Sequence, residues 1–105
     1  MANHKLLLAA ASAAAFLLSA APAAFADEAL AKSKGCMACH SVKTKLVGPA
    51  YADVAKKYKS DKEAPGKLAT SITKGSSGKF GPIPMPPNKV TEDEAKKLAA
   101  WVLSL

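Results

Sequence analysis

The sequence predicts an all-α domain, and three observations carry that prediction. No stretch alternates apolar and polar residues with the period of two that a half-buried strand needs, and no segment repeats. Helix punctuation is explicit instead: Thr91 and Glu94 form a T-x-x-E capping box ahead of apolar residues at helical spacing. Glycines also stand where helices would stop. The one long stretch without helical character, residues 76–90, carries four prolines between positions 82 and 87, which forbid interior strand and helix alike.

The chain opens on Lys5 and an apolar run, LLLAAASAAAFLLSA, over residues 6–20, followed by Pro22 and Ala24-Phe25-Ala26. Basic start, apolar middle and A-x-A end describe a secretory signal peptide, residues 1–26, cleaved before Asp27. A retained anchor is the alternative, since a membrane span needs about 20 apolar residues. Against it stand the alanine-rich composition, Pro22 and the good cleavage site. Export places the remaining domain, residues 27–105, in the periplasm. Losing Lys5 with the leader leaves 14 lysines against eight acids, a net charge near +6, with no arginine. Aromatic residues are few and not interleaved with the lysines, so this charge is unsuited to nucleic acid and fits an acidic protein partner.

Asp27 and Glu28 put acids in the first turn of a first helix, which Gly35 ends. Gly48-Pro49 opens a second helix over residues 50–58. Residues 60–66 read as a charged loop, and a third helix over 67–74 is capped by Gly75. The capping box starts the last helix, whose apolar positions Ala95, Leu98, Val102 and Leu105, with Trp101 beside them, are expected to pack on the first helix. Between helices three and four runs GSSGKFGPIPMPPNKV, too stiff for a floppy linker and therefore a positioned strap, with Met85 at its centre.

The only two cysteines lie in CMACH, Cys36 to His40. A zinc site would want four ligands, usually Cys and His, and beyond CMACH the domain has neither. A redox disulfide of the C-x-x-C kind remains open chemically, though such motifs follow a strand in a βαβ setting. The pattern C-x-x-C-H is also the attachment signature for covalent haem. Residues three and four apart share one face of a helical turn, so both sulfurs can reach the vinyl groups at one porphyrin edge while His40 turns beneath the iron. A haem would also supply the core that a 79-residue domain otherwise lacks. The second axial position falls to Met85 by elimination: Met1 leaves with the leader and Met37 sits on the attachment side. His with Met is the ligation that raises haem potential.

On KGCMACH, VGPAYADVAKKY, GPIPMPPN and EDEAKKLAAWVLSL the chain resembles the small bacterial class I cytochromes c of the c-551/c-552 (c8) group, over its whole length after the leader. That resemblance implies the cytochrome c fold, three main helices plus a short one around a single haem c. It implies thioethers at Cys36 and Cys39 and axial ligands His40 and Met85. The Pro49 carbonyl would accept a hydrogen bond from the ligand histidine, and the Asn88 amide would touch the ligand methionine. Function would be soluble one-electron transfer as a periplasmic monomer. Acidic redox proteins, such as a nitrite reductase, an oxidase or a peroxidase, would dock at a haem edge rimmed by Lys32, Lys34, Lys43, Lys45, Lys79 and Lys89. A haem enzyme or gas sensor, in which Met85 is spare, and a metal-free thiol oxidoreductase are the competing classes. Three positions depart from the family's common pattern: Phe80 replaces a Trp and Ser71 an Arg, both contacts of a haem propionate. Ala31 replaces a larger aromatic, a change expected to weaken packing on the last helix.

Overall fold

A computed structural model describes residues 23–105; most of the expected signal peptide, residues 1–22, lies outside the described residues. Among the described residues four α-helices follow one another: α1 Ala23–Ser33, α2 Tyr51–Lys57, α3 Ala64–Lys74 and α4 Glu92–Leu103, with a 3-10 turn at Cys36–Ala38. No strand occurs among the described residues, so the all-α expectation stands, with α2 as the short helix.

Two helix starts differ from the sequence reading. In the uncut chain α1 begins at Ala23, because alanine-rich sequence propagates a helix readily, and Asp27 and Glu28 fall beyond its first turn. Gly35 ends it in the left-handed region at φ 77°, where glycine meets no Cβ penalty. The α3 helix begins at Ala64, three residues before the expected start, with Pro65 inside its first turn. Proline is at home there, since a first-turn N–H has no intrahelical acceptor to lose. Asp61 holds the entry: its carboxylate accepts from the Glu63 N–H at 2.8 Å and from Lys67 Nζ at 2.7 Å.

The core gathers Tyr51, Val54 and Tyr58 of the second helix and its C-terminal cap, Leu68 of α3, and Leu98, Trp101 and Val102 of α4. The main partner of α4 is α3, with α1 and α2 after it, so the first helix is not its principal contact. Ala31, Ala95 and Ala99 have no exposed surface. These small side chains let α1 and α4 approach closely, and Leu30, Met37 and Val42 pack against the core. Leu105 lies past the end of α4 and is 42% exposed, so it is not part of the packed face.

The capping box forms as expected. The Glu94 N–H donates to Thr91 Oγ1 at 3.1 Å, and the Thr91 N–H donates to Glu94 Oε1 at 2.9 Å. That backbone donor is the main reason the Glu94 carboxyl lies below its ordinary range. A depressed carboxyl stabilises the fold at pH values above its unfolded pKa, and this contribution is lost as pH falls through the folded value. Thr91→Ala is expected to cost about 1 kcal/mol in denaturant unfolding, the usual effect of deleting such a cap.

Candidate functional site

The 3-10 turn Cys36–Ala38 follows the left-handed Gly35 directly, and the His40 N–H returns to the Cys36 carbonyl at 3.0 Å. This tight winding presents both free thiols and the imidazole within five residues. Burial pushes the Cys36 thiol upward, partly opposed by a hydrogen bond with Tyr51. Burial likewise raises the Tyr51 phenol, with the neighbouring Cys36 adding to the effect.

The His40 ring is held on three sides. Its Nδ1 lies 2.8 Å from the Pro49 carbonyl oxygen. A carbonyl can only accept, so Nδ1 carries a proton, and in the neutral imidazole Nε2 is the nitrogen with the lone pair. Tyr51 stacks on the imidazole with centroids 4.8 Å apart and planes 20° from parallel. Gly48 occupies the third side: a methyl group there would lie 2.5 Å from Cε1 and 2.9 Å from Nδ1. The Gly48 N–H in turn donates to the Cys39 carbonyl at 2.8 Å, which locks the loop to the turn.

Met85 is fixed by its main chain. Met85 and Ser76 exchange two hydrogen bonds, N–H to O at 2.8 and 3.0 Å, forming an isolated antiparallel pair. Three residues on, the Asn88 N–H donates to the Ile72 carbonyl at 3.0 Å. The Asn88 amide Nδ2 donates to the same carbonyl at 3.1 Å and to the Pro86 carbonyl at 3.3 Å. Asn88 thus ties the strap to the C-terminal turn of α3 by both donors. Among the described hydrogen bonds the amide donates to these two carbonyls and not to Met85, and the Ile72 carbonyl is one that the end of α3 leaves without an intrahelical donor.

All six residues singled out from the sequence, Cys36, Cys39, His40, Pro49, Met85 and Asn88, line one cavity. Its other walls are apolar side chains of three helices, among them Val54, Leu68, Ile72, Leu98 and Val102. Among the described residues no Asp or Glu lines it, whereas Lys45 and Lys79 do. An apolar slot with two thiols, an imidazole and a thioether suits a haem, and the two lysines suit its anionic propionates. Among the described residues no three His, Cys, Asp or Glu cluster to hold a lone metal ion, which disfavours zinc.

Three contributors were not read from the sequence. Gly48 and Tyr51 carry no motif of their own beyond VGPAY, and their role depends on the imidazole folding back against them. Trp101 meets Tyr51 edge-on at 5.2 Å and so stands behind the stack.

An all-α chain whose cavity gathers C-x-x-C-H and a strap methionine is a haem-binding protein of the c type. The family model for cytochrome c matches residues 27–105. Cytochrome c-552 of Hydrogenobacter thermophilus is 63% identical over 81 residues, 77% of this chain and 83% of that protein. Cytochrome c-551 of Pseudomonas aeruginosa is 58% identical over 77 residues, 73% of this chain and 74% of that protein. Among solved structures, Nitrosomonas europaea cytochrome c552 superposes with a TM-score of 0.73 at 52% identity, covering 74% of this chain and 98% of that one. The chain belongs to the cytochrome c family, in its c-551/c-552 group, and carries one covalently bound c-type haem.

Proposed function

We propose that the protein is a periplasmic one-electron carrier whose haem would be held through thioethers at Cys36 and Cys39, with His40 and Met85 supplying ligands to its iron. The observation that carries this reading is the convergence of those four side chains on one cavity free of carboxylates. The haem supplies a ferric/ferrous couple that takes up and releases a single electron. Around it, the Pro49 carbonyl orients His40 and increases its basicity through the Nδ1 proton. The Met85 thioether favours the reduced state. With His40 engaged at both nitrogens, no further histidine and no acid among the described residues lines the cavity for proton transfer to a substrate, which separates this reading from a haem enzyme. Export is supported by the family match beginning at Asp27, the residue after the expected cleavage point. No helix among the described residues is long and apolar enough to cross a membrane. Spectroelectrochemistry tests the reading: a single reversible one-electron wave is expected, with a low-spin spectrum in both states. A high-spin ferric spectrum with rapid peroxide turnover would contradict it.

The partner surface follows from the same cavity. Of the six lysines expected to rim it, Lys32 and Lys34 face Glu28 at 3.7 Å and Glu94 at 3.4 Å. Lys43, Lys45, Lys79 and Lys89 form no ion pair among the described residues; Lys45 and Lys79 line the cavity, and Leu46, Val47 and Ile83, near them in sequence, are exposed apolar groups. An acidic redox partner would be steered by these lysines and seated on the apolar rim. Lys45→Glu with Lys79→Glu is expected to slow association on the order of tenfold at low salt. The wild-type advantage should shrink as the Debye length falls below ~8 Å. Stopped-flow rates against ionic strength check this; rates indifferent to both salt and charge reversal would leave partner choice to the apolar rim alone.

A further inference from the structure

Residues 77–84 make an excursion between the two members of the Ser76/Met85 pair and contribute Ser77, Phe80 and Ile83, among others, to the cavity wall. Among the described residues, no backbone–backbone hydrogen bond reaches this excursion. One side-chain hydrogen bond does. Lys57, the last residue of α2, donates from Nζ to the Lys79 carbonyl at 2.9 Å, and the same ammonium stands 4.7 Å from the centre of the Phe80 ring.

The chain on either side of this contact is built to turn. Gly78 and Gly81 have φ values of 78° and 120°, and an added Cβ at either would meet nothing within 4 Å. They are therefore free hinge points, with no crowding to hold them. Beyond Gly81, prolines at 82, 84, 86 and 87 make the strap a stiff rod. Its far end is fastened to α3 through Asn88. Met85 lies on this rod with its main chain held to Ser76, so the part left free to hinge is the segment of residues 78–81 that covers the cavity.

We infer that Lys57 is a positioning residue for Met85: its ammonium latches the hinged segment of residues 78–81 over the cavity, and so limits how readily small ligands displace the methionine. The inference rests on the reading of Met85 as the axial ligand. Charged donors make the stronger hydrogen bonds, and a cation over an aromatic ring adds to them. Opening must break both contacts and leave the Lys79 carbonyl to water.

The test uses the ferric holoprotein with imidazole as the competing ligand, read as loss of the far-red Met–iron band. Lys57→Met keeps the aliphatic stem and removes the donor; it is expected to bind imidazole about fivefold to tenfold more tightly and faster than wild type. Lys57→Arg keeps a cation that can both donate and lie over the ring, and should restore wild-type binding. Thermal unfolding of both variants should stay near wild type, as for most surface substitutions. An intact Met–iron band with imidazole binding unaffected by Lys57→Met overturns the latch, as does an Arg variant that behaves like the Met variant. A wild-type protein that shows no Met–iron band overturns the ligation reading itself, before any variant is compared.

Discussion

Met85→Ala is expected to abolish the Met–iron band, open the iron to water and imidazole, and lower the reduction potential by on the order of 0.1–0.3 V. Axial ligands span about 0.8 V of haem potential across proteins, and the thioether is the ligand that favours the reduced state. The haem should remain attached, because Cys36 and Cys39 lie on a different segment of the chain. The backbone pair with Ser76 does not involve the side chain, so the strap should keep its course. Potentiometric titration together with haem-stained electrophoresis reads both halves of the expectation. A variant that keeps the band and the potential would assign the sixth position to another group.

Trp101→Ala is expected to have the largest effect on stability. Trp101 is 4% exposed and meets Tyr51 edge-on, on the helix that contacts all three others. Deleting a buried aromatic of this size costs ~3–5 kcal/mol. For a domain of about 80 residues each kcal/mol moves the melting temperature by ~4–8 °C, so a fall of at least ~12 °C follows. The far-red band of the folded fraction should persist, since His40 retains its Pro49 and Gly48 contacts. Circular dichroism melts of the holoprotein measure the first effect and the ferric spectrum the second. A melting temperature within a degree or two of wild type would contradict the burial of this side chain.

Features that depend on neighbours in the chain are legible in the sequence. The Thr91/Glu94 box joins residues three apart, and the turn at Gly35 is set by one residue's φ. The C-x-x-C-H spacing is of the same kind, which is why the class of cofactor could be read before any fold was known. The start of α3 was misplaced because Pro65 and Gly66 weigh as helix breakers, although Pro is harmless in a first turn. Contacts between distant segments left no mark. Nothing in the sequence tells that Asn88 will find the Ile72 carbonyl, that Lys57 will reach Lys79, or that α4 will lie mainly along α3. These depend on where helices dock, and one lysine among 15 looks like any other until they do.

The paired hydrogen bonds between Ser76 and Met85 bear on the speed of the function as well as on its geometry. A carrier that gains or loses an electron must adjust the bonds and dipoles around the changed charge, and this reorganisation sets part of the activation barrier. If Met85 ligates the iron as proposed, a side chain whose main chain is already bonded on both sides has little room to shift when that charge changes by one unit. The His40 imidazole is confined in the same way by Pro49, Gly48 and Tyr51. Fixed dipoles that need no rearrangement at the moment of transfer lower a barrier in any charge-moving step. The two oxidation states should therefore share nearly one structure, and self-exchange between two copies should be quick relative to proteins whose ligands hang on mobile loops.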